Sequence, residues 1–451
     1  MLFLERIFRL RENGTTPLRE VLAGLTTFAA MAYILAVNPD ILSVTGMDRG
    51  ALITATALGA AISTALMALM TNFPLALAPG MGINAYFAYT ICLKLNIPWQ
   101  QALGMVFVNG IIFLLLSLTG VRARIVRAIP YGLKIAVTCG LGVFIAFIGL
   151  QKGGLVVSNS ATLLSLGDTT KPATLLFLGG FLLTAILVVR RVPGGIVIAV
   201  AVTTIAGLWV PDGTLLPDGT PQMVTSLPER IFSAPASLAP TAFQLKFDFL
   251  TTQFWVALPV ILTLLLVDMF DNIGTLIGVT KRAGLMQPDG TSPRIGRALT
   301  ADSVAAIFSS LLGTSTVVSY VESASGVEAG GRTGLTGLTT AACFLLALFL
   351  TPLILIVPQV AVAPVLVMVG LLMFEAVVEL NTKDTPVTMA AVMTIIMTPL
   401  GFSISAGVGM GLIVLVVLMT AVGRARELSV TAWVLALVFT LHFFDKFFVG
   451  K

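Results

Sequence analysis

Long apolar stretches alternate with short polar ones along almost the whole chain. Fourteen apolar blocks have roughly the length that a bilayer-spanning helix requires, about 20 residues. The first seven blocks are 20–38, 51–70, 75–94, 100–118, 131–150, 173–189 and 194–210. The other seven are 254–278, 298–313, 314–336, 338–357, 362–380, 386–402 and 404–422. A further block, 431–444, is too short to span a bilayer comfortably.

The composition agrees with this pattern. Hydrophobic residues make up 57% of the 451 residues and charged residues only 10%, and the mean hydropathy is +1.02. Because soluble domains carry about 25% charged residues, we expect an all-α polytopic membrane protein rather than a soluble or disordered one. The net charge of +5 comes from basic residues that flank apolar blocks, as topology signals do, so no nucleic-acid partner is expected.

The distribution of Lys and Arg predicts the orientation in the membrane. With the N-terminus in the cytoplasm, the segments on the inner side hold 20 of the 26 basic residues. Such an excess on the inner side is typical of membrane proteins. We therefore predict that both termini are cytoplasmic. Three tryptophans then fall at outer ends of spans, where an aromatic belt is expected: Trp99, Trp209 and Trp255.

The longest polar stretch divides the chain almost in half, with seven apolar blocks on each side. We predict a first seven-span repeat in 1–210, an external linker in 211–253 and a second repeat in 254–422. Residues 423–451 would form a cytoplasmic or interfacial C-terminal segment. Because seven is odd, the two repeats must insert with opposite topology, as in many secondary transporters.

The third block of each half has an unusual composition. These blocks contain NFPLALAPGMGINAYFAYT (72–90) and GTSTVVSYVESASGVEAGGRTGLT (313–336), both rich in small residues. Pro79 and Gly80 would interrupt the first helix, and the glycines from Gly326 to Gly334 the second. Small residues can also serve only as helix-packing surfaces. A matched pair of interrupted spans is nevertheless the best sequence pointer to a transporter's binding site.

Acidic residues inside the spans are the next candidates, because charge at bilayer depth is costly and usually functional. Asp268 and Asp271 lie three residues apart in LLLVDMFDNIGTLIGV (264–279) and share one helix face. Two carboxylates this close favour holding one proton, which suits a proton-coupled site, although the pair could also join two helices. Glu322 lies in block ten, and Asp302 is interpreted as a buried hydrogen-bond partner.

Amide and aromatic side chains complete the candidate site. Asn84 in block three can donate and accept hydrogen bonds, and Phe270 and Tyr320 adjoin the candidate acids. A flat ligand with several N–H donors would suit this set, so nucleobases fit, while amino-acid or anionic substrates stay open. The absence of Arg from the set argues against sulfate or bicarbonate, which prefer cations and helix N-termini.

Other classes of function have less support. Three cysteines lie in apolar runs, and His442 is the only histidine, so no disulfide framework, multi-histidine metal site or catalytic constellation is expected. We therefore predict no enzyme activity, no cofactor and no metal. An ion channel or a membrane receptor remains an alternative; a channel would need no titrating carboxylate.

Three long segments give the chain a family resemblance. NFPLALAPGMGINAYFAYT, DMFDNIGTLIGV and VVSYVESASGVEAGGRTGLT, with the opening segment 15–43, resemble the AzgA-like purine permeases of the nucleobase:cation symporter-2 family. The resemblance implies fourteen transmembrane segments in two inverted seven-span repeats. Blocks 1–4 and 8–11 would form a core domain and blocks 5–7 and 12–14 a gate domain. Blocks three and ten would be half-helices joined to short strands.

The same resemblance implies a function and site residues. It implies import of hypoxanthine, guanine or adenine by proton symport across the plasma membrane, the inner membrane of a bacterium, and homodimers through the gate domain. Inverted repeats give two nearly equivalent packings, and with the site in one domain they predict elevator-like alternating access. Asn84 and Gly82 match the GMGxNA segment, Asp271 matches the family acid before Gly274, and Glu322 matches the acid that binds the base. The predicted substrate-binding residues are Asn84, Gly82, Asp268, Asp271, Glu322, Tyr320 and Phe270; proton coupling is assigned to Asp268, Asp271 and Glu322. A transporter of another nucleobase-like or anionic solute is the alternative.

Overall fold

The structure is a computed structural model that describes residues 2–119, 130–215, 221–228, 230–285 and 294–448. Within these ranges it is mostly helical, and nine helices are long and apolar enough to cross a membrane. Four more apolar helices are shorter: Gly195–Ala206, Phe254–Met269, Thr385–Leu400 and Val430–Leu441. The prediction of a polytopic helical membrane protein is confirmed at this level.

The first half of the chain contains nine helices and three strands within its described part. They are α1 (Leu2–Phe8), α2 (Pro17–Met31), α3 (Ile34–Ser43), α4 (Arg49–Thr71), β1 (Leu77–Pro79), α5 (Met81–Ala85), α6 (Trp99–Leu118), α7 (Tyr131–Lys152), β2 (Val156–Asn159), β3 (Leu163–Leu166), α8 (Pro172–Val189) and α9 (Gly195–Ala206). Helix α5 continues as a π-helix over Tyr86–Lys94.

The second half follows a similar order after a short hairpin. Its elements are β4 (Pro211–Leu215), β5 (Pro221–Met223), α10 (Phe249–Thr252), α11 (Phe254–Arg282), α12 (Ile295–Leu312), β6 (Val317–Ser319), α13 (Ser323–Glu328), α14 (Gly334–Ala347), α15 (Thr351–Leu355), α16 (Gln359–Phe374), α17 (Thr385–Leu400), α18 (Ile404–Ala421) and α19 (Val430–Phe448). The expected interruptions of blocks three and ten are present as β1 and β6.

The helices pack in two groups. Helices α2–α6 and α11–α15 pack mainly on one another and are called the core group; α7–α9 and α16–α18 are called the gate group. Glycines bring α7 and α16 together: a Cβ on Gly142 would lie 2.6 Å from the Gly370 carbonyl oxygen. A Cβ on Gly370 would lie 2.3 Å from the Gly142 oxygen. These two helices therefore touch through their backbones.

The first span is not one uninterrupted helix. Helix α2 ends at Met31 and α3 begins at Ile34, and the turn between them is tightened by a bond from the Leu35 N–H to the Ala32 carbonyl (3.1 Å). Pro39 lies inside α3. A proline lacks the N–H that would bond four residues back and its ring crowds that carbonyl, so the distortion falls one turn earlier. Tyr33 lies in this turn.

The predicted linker 211–253 lies across several helix ends. The Phe243 N–H donates to Leu311 at the end of α12 (2.8 Å), and the Lys246 N–H donates to Gln100 at the start of α6 (3.0 Å). The Ser233 N–H donates to Phe349 just after α14 (3.1 Å). Because one segment contacts all three ends, these ends lie on the same face of the molecule.

The predicted C-terminal segment contains a long helix. The apolar block 431–444 lies within α19, which has 19 residues. Helix α19 packs against α18 and α11, and Ala432 and Phe439 are fully buried. The segment is therefore attached to the helix bundle along part of its length.

Candidate functional site

Strands β1 and β6 form an antiparallel pair at the centre of the core group. Leu77 faces Ser319 and Pro79 faces Val317 in the ladder. Next to the ladder, the Tyr320 N–H donates to the Ala76 carbonyl at 2.9 Å. Non-helical backbone at membrane depth is tolerated where protein satisfies it, and here each strand satisfies the other. The pair brings the starts of α5 and α13 side by side.

A cavity lies beside this strand pair and holds about 450 Å³ of space outside protein atoms, including some open to solvent. We call it the central cavity. Its lining comes from both halves of the chain and from both helix groups: Gly80, Met81, Gly82, Thr275, Val318, Ser319, Tyr320, Val321, Glu322, Val369 and Met373. Because Val369 and Met373 belong to α16, the cavity lies between the core group and the gate group.

Glu322 is the one charged residue among the described residues that line the central cavity. It directly precedes α13 and is half-buried. The Tyr33 hydroxyl donates a hydrogen bond to Glu322 Oε1. An ionised carboxylate only accepts hydrogen bonds and has about four lone-pair positions, so Glu322 retains capacity to bind N–H groups in the cavity.

Tyr320 also lines the cavity, and its hydroxyl is already engaged. The Tyr320 hydroxyl donates to the Pro79 carbonyl at 2.6 Å, and the side chain is only 5% exposed. The bond ties the start of α13 to β1. Tyr320 therefore offers the cavity mainly its ring surface, with the ring position fixed by the strand pair.

Gly82 lines the cavity and also packs closely against a neighbouring helix, where a side chain would not fit. A Cβ at this position would lie 2.2–2.8 Å from three side-chain atoms of Leu141 in α7. Contacts under 3.0 Å force a neighbour to move. The absence of a side chain thus lets α5 of the core group approach α7 of the gate group. Close approach of the substrate at Gly82, which the resemblance implies, stays a prediction.

Asp268 lies outside the cavity lining, within a buried polar cluster. Asn272 Nδ2 donates to Asp268 Oδ1 and to Asp302 Oδ2, both at 2.9 Å. Asn109 and Thr316 each donate to Asp268 Oδ2 at 3.4 Å. An amide nitrogen carries two hydrogens, so Asn272 uses one for each carboxylate. The expected hydrogen-bonding role of Asp302 agrees with this geometry.

The amide of Asn272 connects the acid cluster to the cavity. The Ser319 N–H donates to Asn272 Oδ1 at 2.8 Å, and Ser319 lines the cavity. Sequence reasoning missed Asn272, although it lies four residues after Asp268, the spacing at which helix side chains meet. Asn272 therefore links the two acids to the backbone of β6.

Asn84 is fully buried and also lies outside the cavity lining. Its Nδ2 donates to Asn38 Oδ1 at 2.6 Å, and the Ser315 hydroxyl donates to its Oδ1. Asn38 Nδ2 in turn donates to Thr56 (2.6 Å) and Thr314 (3.0 Å). In this structure the amide links α3, α4, α5 and the segment before β6.

Two predicted site residues fall outside the described side chains. Phe270 and Asp271 belong to α11, but the structure describes no side chain for either. Their assigned roles therefore stay predictions. Among the side chains that are described, no group of three or more His, Cys, Asp or Glu could hold a metal ion.

One buried ion pair joins the two helix groups directly. The Lys152 ammonium at the end of α7 contacts the Asp40 carboxylate of α3, with side chains 10% and 2% exposed. A buried ion pair that loses one partner leaves an uncompensated charge. The contact thus couples the position of α7 to that of α3.

Comparison with known proteins agrees with this architecture. The family model described as "Permease family" (Xan_ur_permease) matches residues 18–444. The chain is 41% identical to the adenine permease AdeP of Escherichia coli K12 over 439 residues, covering 97% of this chain and 95% of AdeP. It is 41% identical to the guanine/hypoxanthine permease PbuG of Bacillus subtilis 168 over 458 positions, covering 98% of this chain and 99% of PbuG.

A solved structure shares the fold. The transmembrane domain of the cyanobacterial bicarbonate transporter BicA matches with a TM-score of 0.66 at 17% identity, covering 86% of this chain and 96% of that domain. At this identity the match establishes the fold alone. The match to the family model and the long alignments to permeases show that the chain belongs to this permease family, as its resemblance to the AzgA-like purine permeases predicted, and not to a family of enzymes.

Proposed function

We propose that this permease imports purine nucleobases across the plasma membrane by proton symport. The observation that carries the proposal is the position of Glu322, a carboxylate that faces the central cavity beside the strand pair. Two relatives that align over nearly their whole length are named as permeases for adenine and for guanine/hypoxanthine. The substrate is therefore a purine base with N–H groups that a carboxylate can accept.

The cavity chemistry supports a flat heterocycle. Glu322 accepts hydrogen bonds from the N–H edge of the base, and the Tyr320 ring and the Val318 and Met373 side chains provide apolar surface. No described lining residue is cationic, which disfavours an inorganic anion as substrate.

Proton coupling is assigned to Glu322, Asp268 and Asp271. Burial of Asp268 near Asp302 supports this assignment, because one amide serves both carboxylates and a shared proton would relieve their repulsion. Asn272 links that pair to Ser319 at the cavity. Binding of a base at Glu322 and protonation of the pair then both act on β6.

We further propose that the core group moves against the gate group as an elevator. The division follows the expected domains: spans 1–4 and 8–11 in the core and spans 5–7 and 12–14 in the gate. The linker contacts support the fourteen-span topology with cytoplasmic termini, since that topology places the ends of α12 and α14 and the start of α6 on the outer side. A homodimer would form through the gate domain.

Uptake of radiolabelled purines into proteoliposomes tests the substrate and the coupling together. We expect saturable uptake that unlabelled adenine, guanine or hypoxanthine inhibits, driven by an inward proton gradient and independent of sodium. Sodium-dependent uptake at fixed pH would contradict proton coupling. Non-saturable flux without competition would indicate a channel instead.

Cross-linking tests the relative movement of the two groups. Asp40→Cys and Lys152→Cys place thiols on α3 and α7 at their contact, where a short reducible cross-linker can join them. We expect uptake to stop on cross-linking and to return on reduction, whereas either single variant treated in the same way keeps its own uptake. Full uptake with the cross-link confirmed in place would contradict an elevator.

A further inference from the structure

Tyr33 connects the interrupted first span to the candidate substrate site. Its hydroxyl donates to Glu322 Oε1, across 289 positions of sequence. Neither the apolar pattern nor the family resemblance singled out this tyrosine. We propose that Tyr33 is a positioning residue that holds one oxygen of Glu322 and turns the other towards the bound base; this inference rests on the proposed purine transport.

The surroundings of Tyr33 leave its hydroxyl few alternatives. The side chain is 2% exposed, and its ring lines an apolar cavity between the two helix groups with Phe28, Ala36, Val200 and Ile354 among its neighbours. A buried hydroxyl without a partner is costly. The bond to Glu322 therefore satisfies the tyrosine and orients the carboxylate at once.

The backbone fixes both partners. A Cβ on Gly326 of α13 would lie 2.0 Å from Thr27 Oγ1 and 2.7 Å from the Ala23 carbonyl oxygen of α2. This contact holds α13 directly against α2, close to the turn that contains Tyr33. Because α2 and α13 both belong to the core group, the hydrogen bond would travel with the site during transport.

This arrangement should lower the entropy cost of binding a base at Glu322. A free glutamate rotates about its side-chain bonds and must lose that freedom to bind a base, at a cost in side-chain entropy. A carboxylate already held at Oε1 presents Oε2 in one orientation, so less freedom is lost on binding. Preorganisation of this kind acts on affinity, so loss of the Tyr33 hydroxyl should weaken binding more than translocation.

Tyr33→Phe tests the proposal by removal of one oxygen with the ring retained. We expect KM for the purine that the wild type transports best to rise about tenfold, as for loss of a hydrogen bond to a charged group. Vmax per transporter should change less than about twofold. KM does not depend on the amount of protein, so lower expression does not obscure the result.

Tyr89→Phe is the matched control. Tyr89 is also largely buried, but its hydroxyl has no hydrogen-bond partner within the described part of the chain. We expect its KM to stay within about twofold of wild type. An unchanged KM in Tyr33→Phe, or an equal rise in Tyr89→Phe, overturns the positioning role.

A double variant shows whether Tyr33 acts through Glu322. Glu322→Asp withdraws the carboxylate by one methylene, so the bond to Tyr33 should be lost. We then expect Tyr33→Phe to raise KM less than twofold in the Glu322→Asp background, because coupled residues are not additive. A full tenfold rise in that background overturns the proposal. Absence of purine uptake by the wild type overturns the proposed function itself, a result distinct from a normal KM in Tyr33→Phe.

Discussion

The two helix groups are held together by different kinds of contact. In the core group, buried polar side chains cross between helices: Asn84 bonds to Asn38 and Ser315, and Asn272 bonds to Asp268 and Asp302. Glycines bring helices together in both groups, but the buried threonines of the gate group bond within their own helices. Examples are Thr184 to Gly180 (2.7 Å), Thr394 to Ala390 (3.0 Å) and Thr398 to Thr394 (2.7 Å).

This difference suits the proposed mechanism. Hydrogen bonds are directional and fix neighbouring helices in one arrangement, whereas backbone and aliphatic contacts allow small displacements at little cost. A site carried by a hydrogen-bonded group can move as one body, and the gate group can serve as the surface it moves along. Gly82 of α5, in contact with Leu141 of α7, lies where the two kinds of packing meet.

The largest expected effect concerns the acid that the core group presents to the cavity. We expect Glu322→Gln to reduce purine uptake at least about 100-fold, because an amide cannot replace a charged acceptor for the N–H edge. Protein amount and the thermal unfolding midpoint should stay near wild type. Uptake by purified protein in liposomes, normalised to the amount reconstituted, measures the loss.

Glu328→Gln is the control for that variant. Glu328 belongs to the same short helix, α13, but is exposed and does not line the cavity. We expect its uptake to stay within about twofold of wild type. Normal uptake by well-produced Glu322→Gln protein would show that Glu322 is not needed for substrate binding.

The second prediction compares the internal packing of the two groups. Asn84→Leu keeps a similar shape but leaves Asn38 Oδ1 and the Ser315 hydroxyl without this partner. We expect a loss of about 2–6 kcal/mol in stability, from two buried polar groups at about 1–3 kcal/mol each. Thermal unfolding in detergent measures it, and the purine competition profile of surviving protein should be unchanged.

Thr394→Val is the matched change in the gate group. Its hydroxyl bonds only to the Ala390 carbonyl of the same helix among the contacts described, so we expect a loss under about 1 kcal/mol. Equal destabilisation by Asn84→Leu and Thr394→Val would contradict the proposed difference in polar contacts between the core group and the gate group. A changed competition profile in Asn84→Leu would support the predicted place of Asn84 in the binding site.

Several of these features could be predicted from the sequence alone. The glycines and Pro79 predicted the interruptions in blocks three and ten, because their effect on a helix is local. Glu322 was identified as a candidate because an acid in an interrupted span is conspicuous, and the structure places it at the cavity. The family was also correct, since long segments carry it.

Contacts between residues that are far apart in the sequence could not be predicted from local patterns, for a physical reason. Tyr33 meets Glu322, and Asn84 meets Asn38 and Ser315, only after folding brings distant segments together. Asn84 was assigned to the substrate because its amide can donate and accept hydrogen bonds and because it matches the GMGxNA segment of the family, and this assignment stays a prediction. Pro39 was the one local signal for Tyr33, since a proline distorts the turn that precedes it.

The third prediction concerns the contact between the groups. Lys152→Met leaves the Asp40 carboxylate buried without its cation, and a buried unpaired charge is strongly unfavourable. We expect Vmax to change about three- to tenfold, because the arrangement that buries Asp40 loses population relative to others. KM for the purine should change less, since neither residue lines the central cavity.

A compensating variant sharpens this test. Adding Asp40→Asn to Lys152→Met removes the remaining charge, and we expect Vmax to return to within about twofold of wild type. Initial rates over a range of purine concentrations separate the two parameters. If Lys152→Met alone behaves as wild type, the ion pair does not influence the movement between the groups.

The smallest expected effect lies at an exposed end of the gate group. Arg424, after α18, bonds to both oxygens of Asp384, before α17, at 3.1 and 3.0 Å, and to Glu427 at 2.9 and 2.7 Å. Hydrogen bonds from Arg424 lower the pKa of Asp384 below its ordinary value of 3.8 and that of Glu427 below 4.5. The same bonds raise the pKa of Arg424, which stays charged throughout.

The sign of the pH dependence follows from these directions. A carboxyl group whose pKa is lower in the folded state stabilises the fold above its unfolded pKa, and this contribution is lost as the pH falls through the folded value. Wild type should therefore exceed Arg424→Gln in unfolding midpoint at pH 7, by no more than about 2 °C for so exposed a cluster. The difference should shrink as the pH falls below about 4.5 and disappear once both acids are protonated. A difference that persists at low pH, or one as large as that of Asn84→Leu, would mean that the gate group depends on polar contacts as much as the core group does.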